Sequence, residues 1–420
     1  MRKNTITGLV TALLLITQAQ AQQRTKTDIH TVEMPEYKII NYSLNTIQTP
    51  GKNSARFKMF FQKIDTLVKA GKGRINILHI GASHVQASVF SDRVRQNLDI
   101  FNGDIQTPRG LIFPYSVAKT NNPSSYKVKY SGEWNSVRNV QKNREKPLGM
   151  TGIAIYTDDS TAQISISLNP NEIRRWEFTQ LRLLGYVEDG SDNVIPVIYH
   201  NNDTIIGRAD TIPQTYLFDF PKPEDSFRMG FIQKDSIPHT FVVRGFILEK
   251  ETPGIVYNAI GVNGASVPSY LECEDFEKEL HLLKPDLVIF EIGINDATSR
   301  NFSKESFYNN YNVLIKKVKQ VNPDCAFLFI TNNDSFKKVS RRKYRANQNG
   351  IVTQKVFFQL AAENQGGVWD LFSLMGGLGS IQQWQTLELA KSDKVHFTND
   401  GYQLIGDMFY NAFVKYYKPK

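Results

Sequence analysis

Three short segments, far apart in the chain, hold the residue types that acyl transfer by a serine requires. Gly81-Ala82-Ser83-His84 ends the apolar run Ile75–Ile80. Gly293-Ile294-Asn295-Asp296 ends the apolar run 286–291, and Asp393-Lys394-Val395-His396 lies near the C-terminus. A serine that follows a strand and opens a helix stands at the carboxyl edge of a sheet, where open α/β folds hold their ligands. The free N–H groups and partial positive charge of a helix start suit a developing oxyanion. Ser83 is therefore a candidate nucleophile, although a serine at such a turn is by itself an ordinary helix cap. Asn295 can donate its amide to the same oxyanion. Asp393 and His396, three residues apart, let a carboxylate orient and charge-stabilise an imidazole. A lone loop histidine is usually just solvated. The inference rests on the three segments together, each at an element boundary.

These groups must be positioned by βα units. From about 54 to 118 the pattern reads helix, strand, glycine turn, helix, with Val85–Leu98 as the helix that follows the serine turn. Between about 120 and 250 the period changes to two, as in Ala162-Gln163-Ile164-Ser165-Ile166-Ser167-Leu168, with turn residues between the runs. Many short alternating strands argue for a β-sandwich or jelly roll. From about 255 the βα rhythm returns, with strands at 286–292, 326–331 and 367–370 and helices at 303–320, 352–364 and 401–417. Parallel strands alternating with helices make a doubly wound α/β sheet. The expected organisation is a signal segment 1–21, a lead-in 22–50, an α/β domain in two pieces, 51–118 and 251–420, and an all-β domain 119–250 inserted between them.

Composition narrows the compartment and partners. At 420 residues, 41% hydrophobic and 11% aromatic, the chain is globular and too long for one ordinary core. Arg2 and Lys3, the mostly apolar Ile6–Thr17 and the small-x-small site Ala19-Gln20-Ala21 read as an export signal. A periplasmic or secreted location is expected, with no membrane span elsewhere. Cys273 and Cys325 cannot build a disulfide scaffold, and Cys325 reads as a buried thiol. A net charge of +9 favours an anionic surface or polymer, but no single basic stripe marks a nucleic-acid partner. The densest basic run, Lys337–Arg345, reads as a solvated helix face. His79 and His84 lack the carboxylate or cysteine neighbours of a metal site and read as core or supporting groups. Trp134 and Trp176 read as sandwich core, with sugar stacking as the alternative.

With these segments in place the chain resembles the SGNH/GDSL hydrolase superfamily over about 70–118 and 252–415. Ser83 matches its first block, Gly264 in Gly261-Val262-Asn263-Gly264-Ala265 its second, Asn295 its third, and Asp393 with His396 its fifth. The resemblance implies a flavodoxin-like sheet and the pair Asp393/His396 acting on Ser83. It also implies an oxyanion hole from the backbone N–H groups of Ser83 and Gly264 with the Asn295 amide. Within the superfamily the chain looks most like the Gram-negative peptidoglycan O-acetylesterases, which carry an inserted jelly roll. Pro108–Tyr115 and Trp369–Gly377 add to that likeness. One residue departs from the pattern: Ala82 stands where the superfamily has Asp, removing a hydrogen-bond acceptor from the nucleophile turn.

The expectation is a secreted serine carbohydrate esterase that removes O-acetyl groups from a glycan, peptidoglycan first, through an acetyl-serine. No cofactor or metal is needed, and the partner is the acetylated glycan. Two alternatives stand beside it. Acetyl transfer to a glycan would use the same acyl-enzyme. A glycan-binding relative is favoured by Ala82 and opposed by the intact Ser83, Asn295, Asp393 and His396.

Overall fold

The computed structural model describes residues 29–418 apart from 171–175, 201–202 and 342; the expected signal segment lies outside the described residues. A six-stranded sheet forms the centre. Its strands are β1 (Ile47–Gln48), β2 (Arg74–Gly81), β3 (Gly254–Gly261), β4 (Leu287–Glu291), β5 (Ala326–Ile330) and β6 (Gly367–Trp369). They lie in the order β1-β6-β5-β4-β2-β3. Only β1 is antiparallel to its neighbour. Counted along the chain, the five parallel strands take the order 2-1-3-4-5, and the winding reverses between β2 and β4. That reversal is the topological switch point of a flavodoxin-like sheet, where the diverging connections leave a crevice.

Side chains alternate across the sheet and feed two cores. Ile75, Ile77, Leu287, Ile289 and Leu328 face the helices Ala55–Ala70, Val89–Leu98 and Asn399–Tyr417. Leu78, Ile80, Val288, Phe290 and Phe327 face the helices Phe276–Leu283, Lys304–Val321 and Asn349–Glu363. Apolar residues on both faces explain why these strands read as continuous hydrophobic runs. The helix at Lys304 starts at Ser303, whose hydroxyl accepts from the Ser306 N–H, and its apolar positions Phe307, Tyr311, Leu314 and Val318 recur at helical spacing.

The period-two segment forms two antiparallel sheets, one of five strands and one of seven, the seventh being Gly110–Ile112 from ahead of the segment. Their inner faces meet through rings from opposite sheets, with Phe227 against Phe246 at 5.1 Å and Phe231 against Phe241 at 5.0 Å between centroids. Trp134 is buried there beside Phe231, whereas Trp176 is buried against the guanidinium groups of Arg95 and Arg109. The fold is thus an α/β flavodoxin-like sheet interrupted by an all-β sandwich.

Three local readings change. The stretch Val85–Leu98 is two helices, Ser83–Gln86 and Val89–Leu98, separated by Ser88 in the left-handed region at φ 62. The turn redirects the second helix onto Asn399–Tyr417, where Arg93 pairs with Asp407 at 2.6 Å. The described part of the lead-in, polar and irregular in sequence, is built into the fold. It supplies the edge strand β1 and ties to the last helix through Asn411, which accepts from the Val32 N–H at 2.8 Å. A two-residue strand has too little pattern to be read from sequence. The basic run is an exposed hairpin, Phe336–Ser340 with Lys343–Ala346, not a helix face. Phe336, Val339 and Tyr344, residue types that favour strands, lie among the cations.

Candidate active site

The register of the central sheet brings the first three segments level. Gly81 on β2 pairs with Gly261 on β3 and with Glu291 on β4. Each strand therefore ends at the same height, and Ser83, Gly264 and Asn295 follow two to four residues later. Gly261 must be glycine for this to happen: a Cβ there would sit 2.5 Å from both the Ala82 carbonyl oxygen and the Gln86 nitrogen.

Ser83 is the first residue of its short helix, and its Oγ lies 2.8 Å from His396 Nε2. His396 Nδ1 lies 2.8 Å from Asp393 Oδ2. The other Asp393 oxygen accepts from the backbone N–H groups of Val395 and His396, both at 2.9 Å. Partial burial pushes the Asp393 carboxyl up, but the His396 backbone N–H, its ring and the Val395 N–H outweigh it and hold the pKa below the ordinary aspartate value. The carboxylate is thus ionised and fixed at the back of the imidazole, and the other ring nitrogen faces a serine hydroxyl. This arrangement can take a proton from Ser83 and return it to a leaving group.

The loop Gly261–Ser266 is held from two sides. Gln86, one turn after Ser83, accepts from the Asn263 N–H at 2.7 Å and donates to Thr120 Oγ1 at 3.0 Å. Asn295 donates one amide hydrogen to the Ala265 carbonyl at 2.8 Å, leaving the second for another acceptor. Asp296 accepts from the Val267 N–H at 3.2 Å, and burial pushes its pKa up to about 6. Gly264 itself is exposed, with φ +85. Gly264 and Asn295 line a cleft of about 410 Å³ together with Ser266, Asp296, Phe302 and Ser306. Ser83 and His396 are not among the residues that line it.

Two groups beneath the site escaped the sequence reading in detail. His84 is buried against the His396 ring at 5.2 Å between centroids and shares a 2.7 Å hydrogen bond with the Tyr402 hydroxyl. Burial, with His396 nearby, pulls its pKa down to about 3, so it stays neutral. Gln86 was missed altogether; its i+3 spacing from Ser83 was the available signal. Ala82, 1% exposed, precedes the nucleophile helix and offers it no side-chain cap. The turn is held instead by the Tyr270 hydroxyl, which donates to the Gly81 carbonyl at 2.9 Å, and by the Gln86 N–H on the Ala82 carbonyl at 2.9 Å. His79 sits in the core, 2.8 Å from the Tyr257 hydroxyl. Cys273 and Cys325 are buried and unbridged. Among the described residues no group of three or more His, Cys, Asp or Glu is placed to hold a metal.

A family model described as the GDSL-like Lipase/Acylhydrolase family matches residues 235–404. The chain carries a GDSL-like hydrolase domain of the SGNH type. A solved structure of a peptidoglycan O-acetylesterase superposes on it with a TM-score of 0.71 at 19% identity, over 88% of this chain and 99% of that one. At that identity the likeness is one of fold, and it spans the SGNH domain and the β insert together. An acetyl xylan esterase matches at a TM-score of 0.31 and 19% identity, over 38% of this chain and 81% of the other. A family two carbohydrate esterase from Cellvibrio japonicus matches at 0.26 and 10%, over 69% and 98%. No curated protein matches the chain. The GDSL-like domain makes this chain a serine esterase, and its hydroxyl–imidazole–carboxylate relay lies at the switch point of the SGNH sheet.

Proposed function

We propose that the chain is an exported O-acetylesterase acting on an acetylated glycan, with peptidoglycan as the substrate. The observation that carries this reading is the unbroken relay from Ser83 Oγ through His396 to Asp393, 2.8 Å at each step. In the proposed reaction His396 Nε2 takes the Ser83 proton while Oγ bonds to the acetyl carbonyl carbon. The carbonyl oxygen gains the electron pair and is met by the N–H groups of Ser83 and Gly264 and the free Asn295 amide hydrogen. As the tetrahedral species collapses, His396 gives its proton to the departing sugar oxygen. Water, deprotonated by His396, then attacks the acetyl-Ser83, and acetate leaves as the proton returns to Oγ. Export rests on the basic, apolar and small-x-small pattern of residues 1–21. The peptidoglycan reading is supported by the fold shared with the solved peptidoglycan O-acetylesterase, sandwich included.

The deciding experiment compares acetate release from O-acetylated peptidoglycan and from acetylated xylan, with Ser83→Ala as control. Peptidoglycan is expected to be preferred, and Ser83→Ala should fall to the background rate while its far-ultraviolet dichroism is unchanged. Release from xylan alone would overturn the substrate, and normal release by Ser83→Ala would overturn the mechanism.

A further inference from the structure

The segment Phe336–Ala346 contains Lys337, Lys338, Arg341, Arg342, Lys343 and Arg345 and no acidic residue. It forms a two-stranded hairpin that joins neither the central sheet nor the sandwich. Lys337 stands opposite Arg345 and Lys338 opposite Tyr344. Like charges directly opposite each other oppose the hairpin's own folding. Lys338, Arg341, Lys343 and Arg345 are exposed, and Tyr344 is 52% exposed. Among the described residues none of these cations, Lys337 included, has an ion-pair partner. A solvated cationic surface is ordinary; its location here is not.

The hairpin is built onto the loop that carries Asp393 and His396. The Phe336 N–H donates to the Lys394 carbonyl at 3.0 Å, and the Lys394 ammonium lies 4.8 Å from the centre of the Phe336 ring. At the root, the Asn333 amide donates to the Val395 carbonyl at 2.9 Å, and the Asn347 N–H donates to the Ser335 carbonyl at 2.7 Å. Asp334 accepts from the Gly379 and Ile381 N–H groups, both at 3.0 Å, so the base is fixed. Lys391 and Lys394 add two cations within the His396 loop. The two sides of the site differ. Gly264 and Asn295 line a cleft of serine, asparagine and phenylalanine; the loop that carries His396 is joined to the root of a hairpin that bears unpaired cations and an exposed tyrosine.

We propose that the hairpin 336–346 is a docking element for the glycan that carries the ester, pairing its cations with carboxylates along the polymer and stacking Tyr344 on a sugar ring. This rests on the glycan esterase reading and adds that the substrate is a carboxylate-bearing glycan. Cations beside the site raise the local concentration of an anionic chain and hold it during turnover, and an exposed ring supplies an apolar face for a sugar.

The test uses the full chain with Lys338→Glu/Lys343→Glu/Arg345→Glu and, separately, Tyr344→Ala. Three substrates are compared: 4-nitrophenyl acetate, acetylated xylan, and O-acetylated peptidoglycan stripped of phosphate polymers. The charge-reversed protein should show a KM for peptidoglycan raised by about tenfold or more, equivalent to ~1.4 kcal/mol, with kcat unchanged. Its rate on the small ester and on neutral xylan should stay within about twofold, which also shows that it folds. Raising salt from about 50 to about 300 mM should raise the peptidoglycan KM of the natural protein and not that of the variant. Tyr344→Ala should raise KM on both polymers and not on the small ester. An equal loss on xylan and peptidoglycan, or no loss on either, overturns the charge pairing. Binding is read separately by co-sedimentation of Ser83→Ala with de-O-acetylated peptidoglycan, with and without the charge reversal. Equal retention of the two overturns the docking role, whereas inactivity of the natural protein on acetylated peptidoglycan overturns only the esterase reading.

Discussion

Asp393 illustrates how much the proposed chemistry depends on one oxygen. Its Oδ2 faces His396 Nδ1 while Oδ1 takes two backbone N–H groups. Asp393→Asn keeps an acceptor for the backbone but turns an amide toward the ring, favouring the wrong tautomer. Esterase kcat is expected to fall by on the order of 10³–10⁴ with little change in thermal stability, measured as initial rates beside a melting curve. His84 makes a different prediction. Its folded pKa of about 3 lies below its ordinary value of 6.5, so the unfolded chain binds more protons between those values. Stability from this group is complete above pH 6.5 and is lost as pH falls toward 3. The melting temperature should therefore drop on acidification from pH 6.5 to about 4, with a shallower slope in His84→Gln. Equal slopes would remove His84 from the account.

At the scale of elements, the site is a matter of loops pinned to one another. Gln86 joins the nucleophile helix to the Gly264 loop and to Thr120. Gln86→Ala should leave Ser83–His396 untouched and release the loop that carries the proposed Gly264 donor. A fall in kcat of about tenfold with little change in KM is expected, since an oxyanion donor acts mainly in the transition state. A change confined to KM would show that the loop serves substrate binding alone. The break at Ser88 belongs to the same scale. Helical spacing continued through it, and only the packing of Val89–Leu98 against the last helix turned the chain there.

The sandwich and the sheet behave as one molecule. A single buried cluster runs from the sandwich to one face of the central sheet, and Gly110–Ile112 pairs with Phe246–Leu248 of the insert. At the junction the fully buried Arg244 of the insert pairs with Asp275 and, at 2.6 Å, with Glu279 of the hydrolase helix. Removing one partner of a buried pair strands the other's charge, at roughly 3–5 kcal/mol. Arg244→Ala should lower the unfolding free energy obtained from denaturant titration by that amount, and the natural protein should unfold in one transition seen alike by tryptophan fluorescence and far-ultraviolet dichroism. Two separated transitions would show that the sandwich is stabilised independently.

The sequence by itself determined the alternation of elements, because burial on two faces, on one face or on a helical stripe each imposes its own period. It also determined which residue types could serve acyl transfer, because a hydroxyl, an amide and an Asp/His pair fell at element ends. The structure brings Ser83, His396 and Asp393 into hydrogen-bond contact, with Gly264 on a neighbouring loop and Asn295 in the short helix Ile294–Thr298 at the same sheet edge. Tertiary structure alone decided the rest. The level of Gly81, Gly261 and Glu291 comes from strand register, which depends on long-range pairing. Gln86 gained its partners only when Asn263 and Thr120 were brought to it. The cations of 337–345 looked like a solvated helix because charge pattern is local, whereas the attachment of their hairpin to the His396 loop follows from the Phe336–Lys394 contact between segments far apart in the chain.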